Sequence, residues 1–129
     1  MLASAGVDAD GALGDLVDVS HDLEAAVLLD TDGMPLASTL ADERAAAFAA
    51  AVRDIVSAAE AVKPGDAAAL SRLQARLGDG SLFVVRDGDR LVAATTRPSP
   101  SAALVFHDLG SCLRSVREGA HMEAADAPA

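Results

Sequence analysis

The stretch Ala25–Thr39, AAVLLDTDGMPLAST, decides how the rest of the chain is read. It opens with an apolar run that ends at Asp30, and that length favours a strand buried on both faces. Asp30, Asp32 and Gly33 then pose a choice between a cation loop and a turn. A calcium loop beginning at Asp30 needs a ligand at its fifth position, glycine at its sixth and a carboxylate at its twelfth. Those positions hold Met34, Pro35 and Ala41. The turn reading uses every residue: Asp tolerates turn geometry, Gly33 supplies a positive φ, and a second short strand, PLAS, follows. Pro35 has no N–H to donate, which sends that strand to a sheet edge. Asp30, Asp32 and Gly33 are therefore read as a structural turn, with no metal.

Outward from this hairpin the order is helix, two strands, helix, three strands, helix. A first helix is expected over about 13–21, from the spacing of Leu13, Leu16, Val17 and Ser20. Asp42 caps a long Ala-rich helix that runs to about Val62, and Pro64 and Gly65 stop it. SRLQARL alternates Leu73, Ala75 and Leu77 against Arg72, Gln74 and Arg76, as a half-exposed strand does. SLFVVR and RLVAATT flank the turn DGD and read as a hairpin. Ser99 and Pro100 are expected to start the last helix, whose stripe is Ala102, Val105, Phe106, Leu109, Leu113 and Val116. Gly119 is expected to end it. The organisation is a flexible N-terminus (1–11), one domain (12–118) and a flexible acidic tail (119–129).

The totals narrow the function. Acidic residues number 20 and basic residues 10, a formal charge of −10. Phosphate backbones are bound by Lys and Arg, so nucleic acid and anionic membranes are poor partners. Aromatics are three phenylalanines, with no Trp or Tyr, so base stacking lacks material. Cys112 is the single cysteine, which fits a reducing compartment. No run approaches the ~20 apolar residues of a membrane span, and the N-terminus lacks a basic region before an apolar one. A cytoplasmic protein without membrane insertion is expected.

No catalytic constellation is legible. His21, His107 and His121 stand apart from one another and from Cys112 at metal spacing. Ser20, His21 and Asp22 are adjacent in sequence, whereas triads assemble in space. The glycines sit in GDG and DGD, not in a phosphate-binding loop. The reading is no enzyme, no cofactor and no catalytic residue.

The long helix is the most informative element. Its apolar stripe, Phe48, Val52, Ile55, Ala59 and Val62, is expected to lie on the sheet. The opposite face carries Ala46, Ala50, Arg53, Ser57 and Ala61, small where a solvent face normally carries long charged residues. Two readings stand: alanine is simply abundant here, or small residues let another helix approach. The strand Arg72–Leu77 adds a second hint, because an unprotected edge invites pairing. Arg72 and Arg76 either guard that edge or contact a partner. The expected homodimer seam is Ala46, Ala50, Ser57 and Ala61 with Arg72, Leu73, Gln74, Ala75 and Arg76. Arg53, beside the alanines, is the candidate partner-binding residue.

This order of elements resembles the Roadblock/dynein light chain 7 family, from about Leu13 to Val116. The nearest local likeness is V-L-x-D-x-D-G-x-P-L-A-S, Val27 to Ser38. GSLFVVRDGDRLVAATTRPSP looks like the family's paired strands before its final helix. Asp22-Leu23 stands where the family often has Gly-Val, and SPSAALVF where it often has NLGL. The resemblance implies an α-β-β-α-β-β-β-α chain with a five-stranded antiparallel sheet of order 2-1-5-4-3, Roadblock/profilin-like. It implies a homodimer with third strands paired and middle helices meeting. It also implies a non-enzymatic scaffold or regulator whose bacterial partner is a Ras-like small GTPase, or a signalling complex containing one. A small-ligand sensor on an α/β scaffold is the alternative.

Overall fold

The computed structural model describes residues 9–30, 32–62, 72–88 and 90–126, with side chains as far as Val116. The elements are α1 (Ala9–Val19), β1 (Leu23–Leu29), β2 (Pro35–Ser38), α2 (Asp42–Val62), β3 (Arg72–Leu77), β4 (Gly80–Asp87), β5 (Arg90–Thr96) and α3 (Ala102–Asp126). The strands form one sheet of order β2-β1-β5-β4-β3, with antiparallel pairing throughout. The expected fold class is thereby shown.

β1 is flanked by strands and covered on both faces, and Ala26 to Leu29 are essentially inaccessible. One face packs Leu28, Phe83, Val92 and Ala94 against Leu13 and Leu16 of α1 and Val105, Leu109 and Leu113 of α3. The other packs Val27, Leu29, Val84 and Ala93 against Ala49, Val52 and Val56 of α2. With three phenylalanines and much alanine, the core is filled by aliphatic side chains brought close together. Phe83 is the largest fully buried one.

Three boundaries depart from expectation. α1 begins at Ala9, four residues early. Helix α3 starts at Ala102, where the Ser101 carbonyl accepts the Val105 N–H at 2.9 Å; Ser99 instead turns the chain with φ 59°. Gly119 does not end α3, which continues to Asp126. Glycine inside a helix costs only about 1 kcal/mol, and Ala120, Met122, Glu123, Ala124 and Ala125 are good helix formers. The expected stop at Pro64 and Gly65 falls outside the described residues.

Gly80 has a sharper reason than its turn. Its φ is 157°, and a Cβ there would overlap the Thr96 carbonyl oxygen. Buried Thr96 ties the same corner: its Oγ1 accepts the Ser81 N–H (3.2 Å) and donates to the Arg97 carbonyl (2.9 Å).

Candidate interaction surface

The β1–β2 connection is a turn closed by Asp30. Asp30 Oδ1 accepts the N–H groups of Asp32 (2.9 Å) and Met34 (3.0 Å). The Gly33 N–H donates to the Asp30 carbonyl, and Gly33 has φ 80°. The aspartate side chain thus closes its own turn, as Asx turns do.

Arg53 of α2 lies across this turn and donates from Nη1 to the Gly33 carbonyl. A Cβ on Gly33 would overlap the Arg53 side chain, so the glycine is needed for both its φ and its proximity. The expected partner-binding arginine is therefore held within its own chain. Beside it lies an open cleft of about 380 Å³, floored by Leu29, Val52, Val56 and Leu91. Its rim includes Arg53, Ser57 and the Arg86–Glu60 ion pair, Nη1 to Oε2 at 3.0 Å.

Helix α2 is rotated from the expected orientation. Ala45, Ala49, Val52 and Val56 face the sheet. Of the expected stripe, only Val52 is fully buried; Phe48, Ile55 and Ala59 are half-buried and Val62 is 84% exposed. The physical reason is size. Two alanines at the contact let the helix backbone lie close to β1 and β2, and the bulkier side chains are displaced to one flank. The other flank carries the expected seam: Ala46, Ser57 and Ala61 are exposed and Ala50 half-buried, with Arg53 among them. Ser57 and Arg53 come together at the cleft.

Among the described residues β3 pairs with β4 alone, which leaves its outer backbone edge without a strand partner there. On the α2 side Leu73 and Ala75 are half-buried and Leu77 is 48% exposed. On the α3 side Arg72, Gln74 and Arg76 are exposed. The strand face had been expected at the seam, whereas the flank Phe48, Ile55 and Val62 had been expected on the sheet and was missed as surface. An apolar stripe read by periodicity has no marker separating its buried centre from its uncovered edge.

Asp22 Oδ2 accepts the Ser101 N–H at 3.2 Å, joining the start of β1 to the start of α3. His21 and His107 are exposed, and the His121 side chain lies outside the described side chains. Cys112 is buried beside α1, and burial, with Asp15 adding to it, pushes its thiol up to about 11. Among the described residues, no helix is long and apolar enough to cross a membrane.

A five-stranded antiparallel sheet of order β2-β1-β5-β4-β3, with two helices on one face and one on the other, is the Roadblock/profilin-like fold. The chain belongs to the Roadblock/LC7 family, whose model matches residues 9–97. No curated protein matches it in sequence. Among solved structures it is similar to a Roadblock/LC7 domain from Streptomyces avermitilis, at 23% identity over 86% of this chain and 96% of that one, with a TM-score of 0.74. It is similar to the gliding protein MglB of Thermus thermophilus, at 16% identity over 95% and 96%, with a TM-score of 0.66. An MglB in a tetrameric arrangement shares 16% identity over 95% of each chain, with a TM-score of 0.66.

Proposed function

We propose that two copies of this chain join through β3 and α2, and that the dimer is a non-enzymatic scaffold or regulator of a Ras-like small GTPase or of a signalling complex containing one. The observation that carries the dimer is the open β3 edge lying on the same side as an uncovered apolar flank. Leu73, Ala75 and Leu77 would meet their counterparts while Phe48, Ile55 and Val62 gain cover. Unpaired edges and contiguous apolar surface both favour association. A two-fold operation makes the contact self-complementary, and a stable one buries about 1,200–2,000 Å² in total. The flank Ala46, Ala50, Ser57 and Ala61 is the other candidate for the helix contact. Ile55→Asp and Ala50→Glu separate the two, because only the substitution at the true contact dissociates the dimer.

The GTPase assignment rests on family membership and on a dimer that offers a composite surface. Its test is capture of a Ras-like GTPase, loaded with GDP or with a GTP analogue, by the wild-type dimer. Binding in at least one nucleotide state supports the reading. Absence of binding in both states transfers the function to the small-ligand sensor, which the cleft beside Arg53 favours: its volume lies in the range of small-molecule pockets, with an apolar floor and a polar rim that includes Arg53, Ser57, Glu60 and Arg86.

A further inference from the structure

The outer strand carries a second message on its other face. Arg72, Gln74 and Arg76 are exposed on the α3 side of β3. Neither guanidinium is in an ion pair among the described residues. The Arg72 guanidinium lies 5.2 Å from the centre of the Phe106 ring, an interaction that leaves its charge unneutralised. Asp79, in the turn after β3, pairs with neither. In a chain with 20 acidic and 10 basic residues, two uncompensated arginines on one short strand run against the composition.

Their consequence follows from the dimer of the preceding section, on which this inference rests. Two β3 strands related by an axis perpendicular to the sheet run antiparallel, and residues opposite each other share a face. Side chains directly opposite have Cβ atoms about 4.5–5.5 Å apart. Whichever residue centres the pairing, an arginine of one copy stands opposite or diagonal to an arginine of the other. Two from each copy make four guanidinium groups in one row. Like charges so placed destabilise the pairing. Helix α3 packs on β4 and β5, so the row lies between the two α3 helices rather than beneath them.

We propose that this row binds an acidic polypeptide segment laid along the dimer seam, and that the segment strengthens the dimer by neutralising the row. Carboxylates accept forked, charge-assisted hydrogen bonds from guanidinium groups, which gives both affinity and orientation. A nucleic acid strand fits less well. Phe106 is not free to stack on a base, because it packs edge-on to Phe83 at 5.0 Å and lies under Arg72.

The test is sedimentation equilibrium of the full chain, wild type and Arg76→Gln, with and without an octaglutamate peptide. The site predicts that octaglutamate binds the wild-type dimer, one peptide per dimer, and lowers its dissociation constant. It predicts that Arg76→Gln dimerises about fivefold more tightly without peptide, because like-charge cross-strand contacts are relieved, and responds less to the peptide. Overall acidity predicts the opposite sign: the variant, now more negative, dimerises less well and the peptide is repelled. That outcome, or a wild-type dimer indifferent to octaglutamate, overturns the site and leaves the dimer standing. Tighter binding of an eight-nucleotide thymidine strand than of octaglutamate assigns the row to nucleic acid instead. A wild-type chain that remains monomeric with and without peptide overturns the dimer and the site together.

Discussion

The two faces of the sheet are built from the same kind of side chain but finished differently. On one, α1 and α3 cover the strands together, and Phe83, Val105 and Leu109 have no exposed surface. On the other, α2 works alone. It buries Ala49 and Val52 completely, yet leaves Phe48, Ile55, Leu73 and Ala75 half-covered and Val62 in solvent. Each face therefore has its own role. The closed face is covered within the chain, and the open face carries the contact proposed for a second copy.

The largest expected effect breaks the closed face. Phe83→Ala should cost about 3–5 kcal/mol in urea unfolding, the range for truncating a buried phenylalanine. A cost no larger than that of an exposed substitution would mean that the two faces are equally loose. Next comes the turn that holds α2 from the side. Gly33→Val should cost about 1–2 kcal/mol through its backbone conformation alone, and more from overlap with Arg53, read as a lowered melting temperature. Arg53→Ala in the same background should recover the overlap part and leave the backbone part.

Cys112 sharpens the contrast through pH. Its folded-state value is raised to about 11 from 9.0, so its contribution to stability is complete below pH 9 and declines as pH rises towards 11. Wild type should lose stability across that window relative to Cys112→Ala, and parallel curves would contradict burial of the thiol on the α1–α3 side. The smallest effect belongs to the rim of the open face. Glu60→Gln should change stability by no more than about 1 kcal/mol, because a solvent-accessible ion pair contributes little.

The closed face was largely legible in the sequence. The apolar run Ala25–Leu29 announced a strand covered on both sides, and Asp30 and Gly33 announced the turn through chemistry that needs no tertiary context. The stripe of α3 was legible because Val105, Leu109, Leu113 and Val116 are large and regularly spaced. The open face was harder. In α2 alanine and aliphatic residues recur on more than one side of the helix, so periodicity fixed the helix but not its rotation. Contact with β1 and β2 selected the small residues Ala45 and Ala49, and Ile55 and Val62 were displaced outward. The hydrogen bond from Arg53 to Gly33 was hidden for a different reason: a backbone carbonyl acceptor 20 residues away leaves no mark in a sequence.

A second copy is proposed to cover the open face. Multi-angle light scattering of the wild-type chain at tens of micromolar tests it most directly, with Ile55→Asp measured alongside. The expected result is a wild-type mass twice the 13.0 kDa of one chain and a folded Ile55→Asp variant of single-chain mass. A folded wild-type protein with the mass of one chain would contradict it.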